Sequence, residues 1–276
     1  MVGNPLLGKN MKKIEVHTKM SVTCILYGGL GNQLFQIFTT IAYSIKHNLN
    51  FIFNYTPNLG KRPTYWHNFL LPIIEHTTTE PLENFVQINE GDERFDNPPQ
   101  TNIVLNGYFQ SYTFFEDHFE NIVEMLAIEK FRSFPTTVSL HFRLGDYKYI
   151  QDCHPILDID YYRNALEYIL LMDPSIQSVK YYCEDEDLAT VCANVETLKQ
   201  EFREVIFERE VAESDWQEMV SMSCCKHHII ANSSFSWWGA YLNTRRNKIV
   251  CYPSVWFGPL IQQDVSRMFP RDWIKI

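Results

Sequence analysis

The run His141-Phe142-Arg143-Leu144-Gly145-Asp146-Tyr147 brings an imidazole, a guanidinium and a carboxylate into one short segment. The apolar residues before it predict a strand over 138–142, whose alternation sends His141 and Arg143 to the same side. Ligands of open α/β sheets bind at the carboxyl ends of strands, which is where these residues fall. A guanidinium is always charged and presents a fork of donors, so Arg143 suits a pyrophosphate through two parallel hydrogen bonds. Asp146 is placed to orient the loop or the arginine. From spacing alone, an Arg–Asp pair that only pins a turn is the competing reading.

Three further segments can do related chemistry. Gly28-Gly29-Leu30-Gly31-Asn32 stands between a strand and a helix, where Gly29 and Gly31 let backbone approach a ligand and helix N–H groups face it. It matches neither GxGxxG nor a P-loop, and a plain tight turn accounts for it equally well. Asn232-Ser233-Ser234-Phe235-Ser236-Trp237-Trp238-Gly239 also follows a strand and opens a helix. Hydroxyls and N–H groups there can receive an anion, or Ser233 can be a simple cap with the tryptophans in the core or walling a sugar. Glu184-Asp185-Glu186-Asp187 offers a carboxylate to the N1–H and N2 amine of guanine, and its Asp-x-Asp spacing is also that of a divalent-metal site. An acidic helix start favoured by the helix dipole is the bland alternative. Asp158-Ile159-Asp160 shares the spacing and reads as a helix cap.

These segments need elements to hold them. Strands are expected at 22–27, 51–53, 103–108, 138–142, 179–183, 205–207, 228–231 and 248–251, with helices at 33–47, 112–131, 159–172, 187 onward, 215–223 and 235–242. Residues 55–100, with six prolines and weak periodicity, read as loops with short elements. Phe134-Pro135-Thr136-Thr137 is the candidate boundary between residues 20–135 and 136–276. Strand–helix alternation on both sides predicts an α/β protein of two Rossmann-like halves facing a central cleft.

The bulk numbers bound the function. At 276 residues with a hydrophobic fraction of 45%, the chain can bury a large core. A net charge of −9 argues against nucleic acid, which needs a basic face, yet permits a small anion held by a few cations. Seven scattered cysteines without zinc-like spacing suit a reducing compartment. Two glycosylation sequons, at Asn54 and Asn232, carry no weight without a secretory route. Residues 1–19 read as a flexible extension, and no apolar run reaches the length of a membrane span, so a cytoplasmic protein is expected.

Taken together, the segments resemble the inverting α-1,2-fucosyltransferases, glycosyltransferase family 11. The resemblance rests on the run from Gly28 to Gln36, Gly107-Tyr108-Phe109-Gln110-Ser111-Tyr112, the His141 to Tyr147 run and Tyr161-Tyr162 with Ala165. It continues through Ser233 to Leu242, Pro253, Trp256-Phe257 and Asp272-Trp273-Ile274. It implies a GT-B-like fold, GDP-fucose as donor, an oligosaccharide or glycan acceptor with a terminal galactose, and no metal or other cofactor. The first half would take the acceptor and the second the GDP-sugar. Arg143 would hold the β-phosphate. More remote fucosyltransferases of the α-1,6 and protein-O types imply that His141 and Asp185 contact guanine. They also imply that Ser233, Ser234 and Phe235 lie at the phosphates, and that Asn32 lies near the fucose and its leaving oxygen. Asp152 and His154 fall where α-1,6 enzymes place a base. The family motif is His-x-Arg-Arg-x-Asp, and here the second arginine is Leu144, which opens donor choice or loop packing to change. Glu184 stands where the family often has Ser.

The rival readings are a transferase using GDP-mannose or GDP-rhamnose, a metal-dependent transferase built on Asp185-x-Asp187, and a module that binds nucleotide or carbohydrate without turnover.

Overall fold

Short strands separated by helices pair in parallel, because each return crossing carries the chain back to the same sheet end. The computed structural model describes residues 19–128 and 133–276. The expected extension before Lys19 lies outside the described residues. In the first half, β1 (Ser21–Cys24), β2 (Asn50–Phe51), β3 (Phe85–Asn89) and β4 (Asn102–Asn106) form an all-parallel sheet in the order β2-β1-β4-β3. In the second, β5 (Phe134–His141), β6 (Ser178–Tyr182), β7 (Ile206–Arg209), β8 (Cys225–Ile229), β9 (Val250–Tyr252) and β10 (Ile274–Lys275) run parallel in the order β7-β6-β5-β8-β9-β10. That is the 3-2-1-4-5-6 order of a Rossmann sheet, with the order reversing between β5 and β8. The halves are Rossmann-like and face one cleft, the GT-B-like arrangement expected.

Helices α1 (Leu30–Lys46), α2 (Phe119–Met125), α3 (Ile159–Met172), α4 (Leu188–Glu201), α5 (Asp215–Ser223) and α6 (Ser234–Tyr241) cover the sheets. The span expected for α3 is the one observed, and Asp158 caps it by accepting the Asp160 N–H at 2.9 Å. The α5 span also matches. The helix expected over 112–131 is instead two 3-10 turns, Tyr112–Phe114 and Glu116–His118, followed by α2, with 129–132 outside the described residues. Phe134 to Thr137, expected to separate the halves, is the opening of β5, where a proline at a strand's start removes little of the ladder. Strands β3 and β10 have no counterpart in the expected set.

Helix α1 is buried on nearly every side, polar positions included. Its glutamines are therefore bonded to backbone, as burial requires. Gln33 Nε2 donates to the carbonyls of Gly28 and Pro63, and Gln36 Oε1 accepts the Tyr27 N–H. The apolar residues Leu34, Phe35, Phe38 and Ile41 join Trp237 and Trp238 of α6 in a core that runs across both halves. Both tryptophans are fully buried, so neither walls a sugar; the Trp237 indole donates to the Met268 carbonyl. A second core lies between β5, β6, α3 and α4 and includes Leu144. Among the described residues, no helix is long and apolar enough to cross a membrane.

Candidate active site

The switch point between β5 and β8 opens onto a cavity of about 610 Å³, within the size range of small-molecule sites. Arg143 stands just past β5, and Asn232 to Phe235 connect β8 to α6 on the other side of the crevice. Across the cleft, the Gly28–Asn32 turn and the start of α1 close the wall.

Two helix starts meet here. Gly29, the residue before α1, supplies no side-chain cap, so first-turn N–H groups are left for a ligand. Helix α6 is capped by Ser233, whose Oγ accepts the Phe235 N–H at 3.3 Å. Its own dipole points its positive end toward the same space. Asn32 Oδ1 accepts a hydrogen bond from Gln110 Nε2 at 2.8 Å, which fixes the asparagine at the cleft wall.

Arg143 is held by Glu184 and Asp146, and its guanidinium lies 5.0 Å from the centroid of the Tyr147 ring. Only 16% of its side chain is exposed, so its charge is poorly screened. The loop beneath it is tied down by Asp187, a buried carboxylate that accepts the Gly145 N–H at 2.7 Å and the Lys148 ammonium. The backbone there favours glycine, and the Glu184 carboxylate closes over it. The φ of Gly145 is +41°, and a Cβ would stand 2.8 Å from Glu184 Oε2.

His141 is buried, with its ring centroid 5.5 Å from that of Phe235. Burial first, and the neighbouring Arg143 charge second, push it down from its ordinary 6.5 to about 3. It is therefore a neutral imidazole, and its Nδ1 has no hydrogen-bond partner within the protein. Asp185 lies on the same rim and pairs with Arg209.

Of the residues singled out from the sequence, Gly29, Gly31, Asn32, His141, Arg143, Asp146, His154, Asp185, Ser233, Ser234 and Phe235 all line this cavity. Asp152 does not. Its side chain is exposed and its carbonyl accepts the Leu260 N–H at 3.0 Å, so the loop turns the residue away from the cleft. His154 stacks on Tyr147, ring centroids 4.7 Å apart, and burial lowers its pKa. Leu144 is 6% exposed and sits in the core rather than on the cavity wall. The carboxylates of Glu184, Glu186 and Asp187 approach closely enough to hold a cation. Asp187, however, already serves Lys148 and Gly145.

Sequence reasoning missed the cleft residues that come from distant loops. Arg62 belongs to a hairpin pairing Asn58–Leu59 with Arg62–Pro63, in the stretch without periodicity. Tyr65 donates to Asp215 Oδ2 at 2.5 Å, joining the first half to the start of α5. Arg209 could have been suspected, since it ends the strand next to Asp185's own.

A family model of Glycosyl transferase family 11 matches residues 65–276. The chain belongs to glycosyl transferase family 11. The match includes β5, β8 and the loops that carry Arg143 and Ser233, while the Gly28–Asn32 turn precedes it. The O-antigen biosynthesis glycosyltransferase WbnK of Escherichia coli is 30% identical over 190 residues, which is 62% of this chain and 60% of that relative. An alpha-1,2-colitosyltransferase of Escherichia coli is 25% identical across 92% of this chain and 98% of its own length. Arabidopsis thaliana FUT1, solved as the mutant R284K in complex with GDP, is similar at 9% identity and a TM-score of 0.47, covering 87% of this chain and 71% of that one. At that level of likeness, the fold is read from this family member's own strand order.

Proposed function

We propose that this family 11 glycosyltransferase moves L-fucose from GDP-fucose to a hydroxyl of a galactose-containing acceptor, forming an α-1,2 linkage with inversion. The observation that carries it is the convergence of Arg143 with the starts of α1 and α6 on one cavity. His141, a neutral imidazole, and Asp185, a carboxylate, both line that cavity and are assigned the guanine edge in this reading.

The acceptor oxygen attacks C1 of the sugar from the face opposite GDP. The C1–O bond breaks, and its electron pair goes to the β-phosphate oxygen. Arg143 and the helix-start N–H groups meet that charge as it grows, where a single such donor contributes about 3–4 kcal/mol in other enzymes. The acceptor's proton goes to a base as the new bond forms. His154, neutral and at the cleft, is the candidate, and Asp152, turned outward, is set aside. No metal is required in this reading, because arginine and backbone N–H groups supply the positive charge that a cation otherwise brings. The carboxylates of Asp185 and Asp187 are engaged by Arg209 and Lys148.

Incubation with GDP-fucose and a panel of galactosides, with NMR assignment of linkage and anomeric configuration, tests the proposal. An α-1,2-fucosylated product is expected, and absence of transfer to every galactoside overturns it. One observation favours a second donor. The relative aligned over 92% of the chain is an alpha-1,2-colitosyltransferase, and colitose is fucose without its 3-hydroxyl. Direct competition between GDP-fucose and GDP-colitose separates the two.

A further inference from the structure

The cleft holds three arginines, Arg62, Arg143 and Arg209, against six carboxylates. A site so rich in negative charge repels a diphosphate unless its cations are concentrated where the phosphates sit. Two of them are. Arg143 engages Asp146 Oδ1, while Arg62 Nη2 stands 3.4 Å from Asp146 Oδ2. One guanidinium comes from the end of β5, and the other from a hairpin of the facing half. Among the described residues lining the cleft, Arg62 is the cation that the first half contributes.

The hairpin is anchored as a positioning element would be. The Pro63 carbonyl accepts Gln33 Nε2 at 2.9 Å, and the same amide nitrogen donates to Gly28, so the hairpin and the glycine turn share one buried side chain. Thr64 Oγ1 donates to the Thr56 carbonyl at 2.6 Å, and Tyr65 reaches across to Asp215. Arg62 is thus presented from a braced backbone, but its own bond is weak. A contact of 3.4 Å is long for a charge-assisted hydrogen bond, and both side chains are about half exposed, 54% and 50%, so the pair contributes little stability. A guanidinium held over a cleft on a braced hairpin, with its donors barely used, fits a ligand contact better than a strut.

On the reading of this cleft as a GDP-sugar site, we infer that Arg62 is a second cation for the donor's β-phosphate. A phosphoryl group between Arg62 and Arg143 offers an oxygen to each, as Asp146 does. This supplies from the facing half a positive charge that Leu144, buried in the core, does not provide. It also makes donor binding bridge the two halves.

Calorimetry with GDP and GMP on wild type, Arg62→Gln and Arg62→Lys tests this, alongside the melting temperature of each ligand-free protein. For Arg62→Gln, GDP affinity falls about 10- to 100-fold, as for loss of a hydrogen bond to a charged group, while GMP affinity and the melting temperature hold. Arg62→Lys falls between. Equal weakening of GDP and GMP, or unchanged GDP affinity, overturns the inference and leaves the donor reading standing. So does a change confined to the acceptor KM. Failure of the wild-type protein to bind GDP removes the donor reading itself, and this inference with it.

Discussion

Gly31 in α1 lies against Ser234 in α6 so closely that a Cβ built on Gly31 would stand 2.5 Å from the Ser234 carbonyl carbon and 2.7 Å from Phe235 N. The two helix starts approach because no side chain separates them, and backbone on the far side cannot yield as a flexible side chain could. Gly31→Ala should therefore push the helix starts apart. The expected loss is about 1–3 kcal/mol of stability, as for overpacked sites, with weaker GDP binding. Gly29→Ala is the internal control for stability, since a Cβ there meets nothing within 4 Å and its φ is −81°. Thermal melts of both variants decide it, with a GDP titration of Gly31→Ala beside them; equal melting would show that the contact does not hold the helix starts together.

Arg143 sits between Glu184 and Asp146 with little of its side chain exposed, so its fork is oriented before any donor arrives. Lysine keeps the charge but cannot reproduce two parallel hydrogen bonds. Arg143→Lys should lower kcat by about 100- to 1000-fold, the range for one lost transition-state donor, with a smaller change in KM. Steady-state kinetics with GDP-fucose test it, and near-native turnover would remove Arg143 from the mechanism.

What could be read from the sequence was what lies next to a strand end. His141, Arg143, Ser233 and Ser234 were legible because each follows an apolar run, and the fold brings such positions together at the switch point. Arg62 was not, because its partner is 84 residues away and local spacing carries no trace of that approach. Strand β3 was hidden by Pro81, Pro98 and Pro99 around it and by its exposed Gln87 and Asn89. Phe134-Pro135 read as a boundary because proline punctuates a chain, whereas β5 already begins at Phe134, since a proline at a strand's start removes little of the ladder. Asp152 looked as well placed as His154, and only the fold of the loop, packed on Gly258 and Leu260, turned one outward and the other in.

The buried imidazole of His141 links the site to pH. Its pKa falls from 6.5 in the unfolded chain to about 3 when folded. As pH drops below 6.5, the unfolded chain takes up a proton that the native state refuses, so stability is lost toward low pH and is unaffected above that value. The dependence should reach at most about 1.4 kcal/mol per pH unit, one proton's worth. His154 and His227 are also lowered by burial and add to the same trend, so the wild-type curve alone does not isolate the residue. The difference between wild type and His141→Phe, in denaturant midpoints from about pH 5 to about pH 7, does. Parallel curves would contradict the burial.

Asp187 accepts the Lys148 ammonium and the Gly145 N–H, so the Asp-x-Asp pair lacks a free second carboxylate. Excess chelator should leave turnover unchanged, and added Mn²⁺ or Mg²⁺ should not raise it. Asp187→Asn should instead lower the melting temperature, because it weakens the loop beneath Arg143. A chelator-sensitive rate restored by metal would reverse the assignment.

Leu144 offers the sharpest test of where donor choice resides. The motif resemblance implies a second arginine at its position, yet the Leu144 side chain is 6% exposed and packs with the core of the second half. Restoring the arginine therefore does not add a cation to the cleft; it drives a charge into apolar surroundings. An uncompensated buried charge costs about 3–5 kcal/mol. Leu144→Arg should thus lower the melting temperature sharply while leaving the ratio of kcat/KM for GDP-fucose and GDP-colitose where it was. Any shift in that ratio at unchanged stability would place the side chain at the donor. In that case the loop from Arg143 to Tyr147 must adopt a second arrangement when the donor is bound.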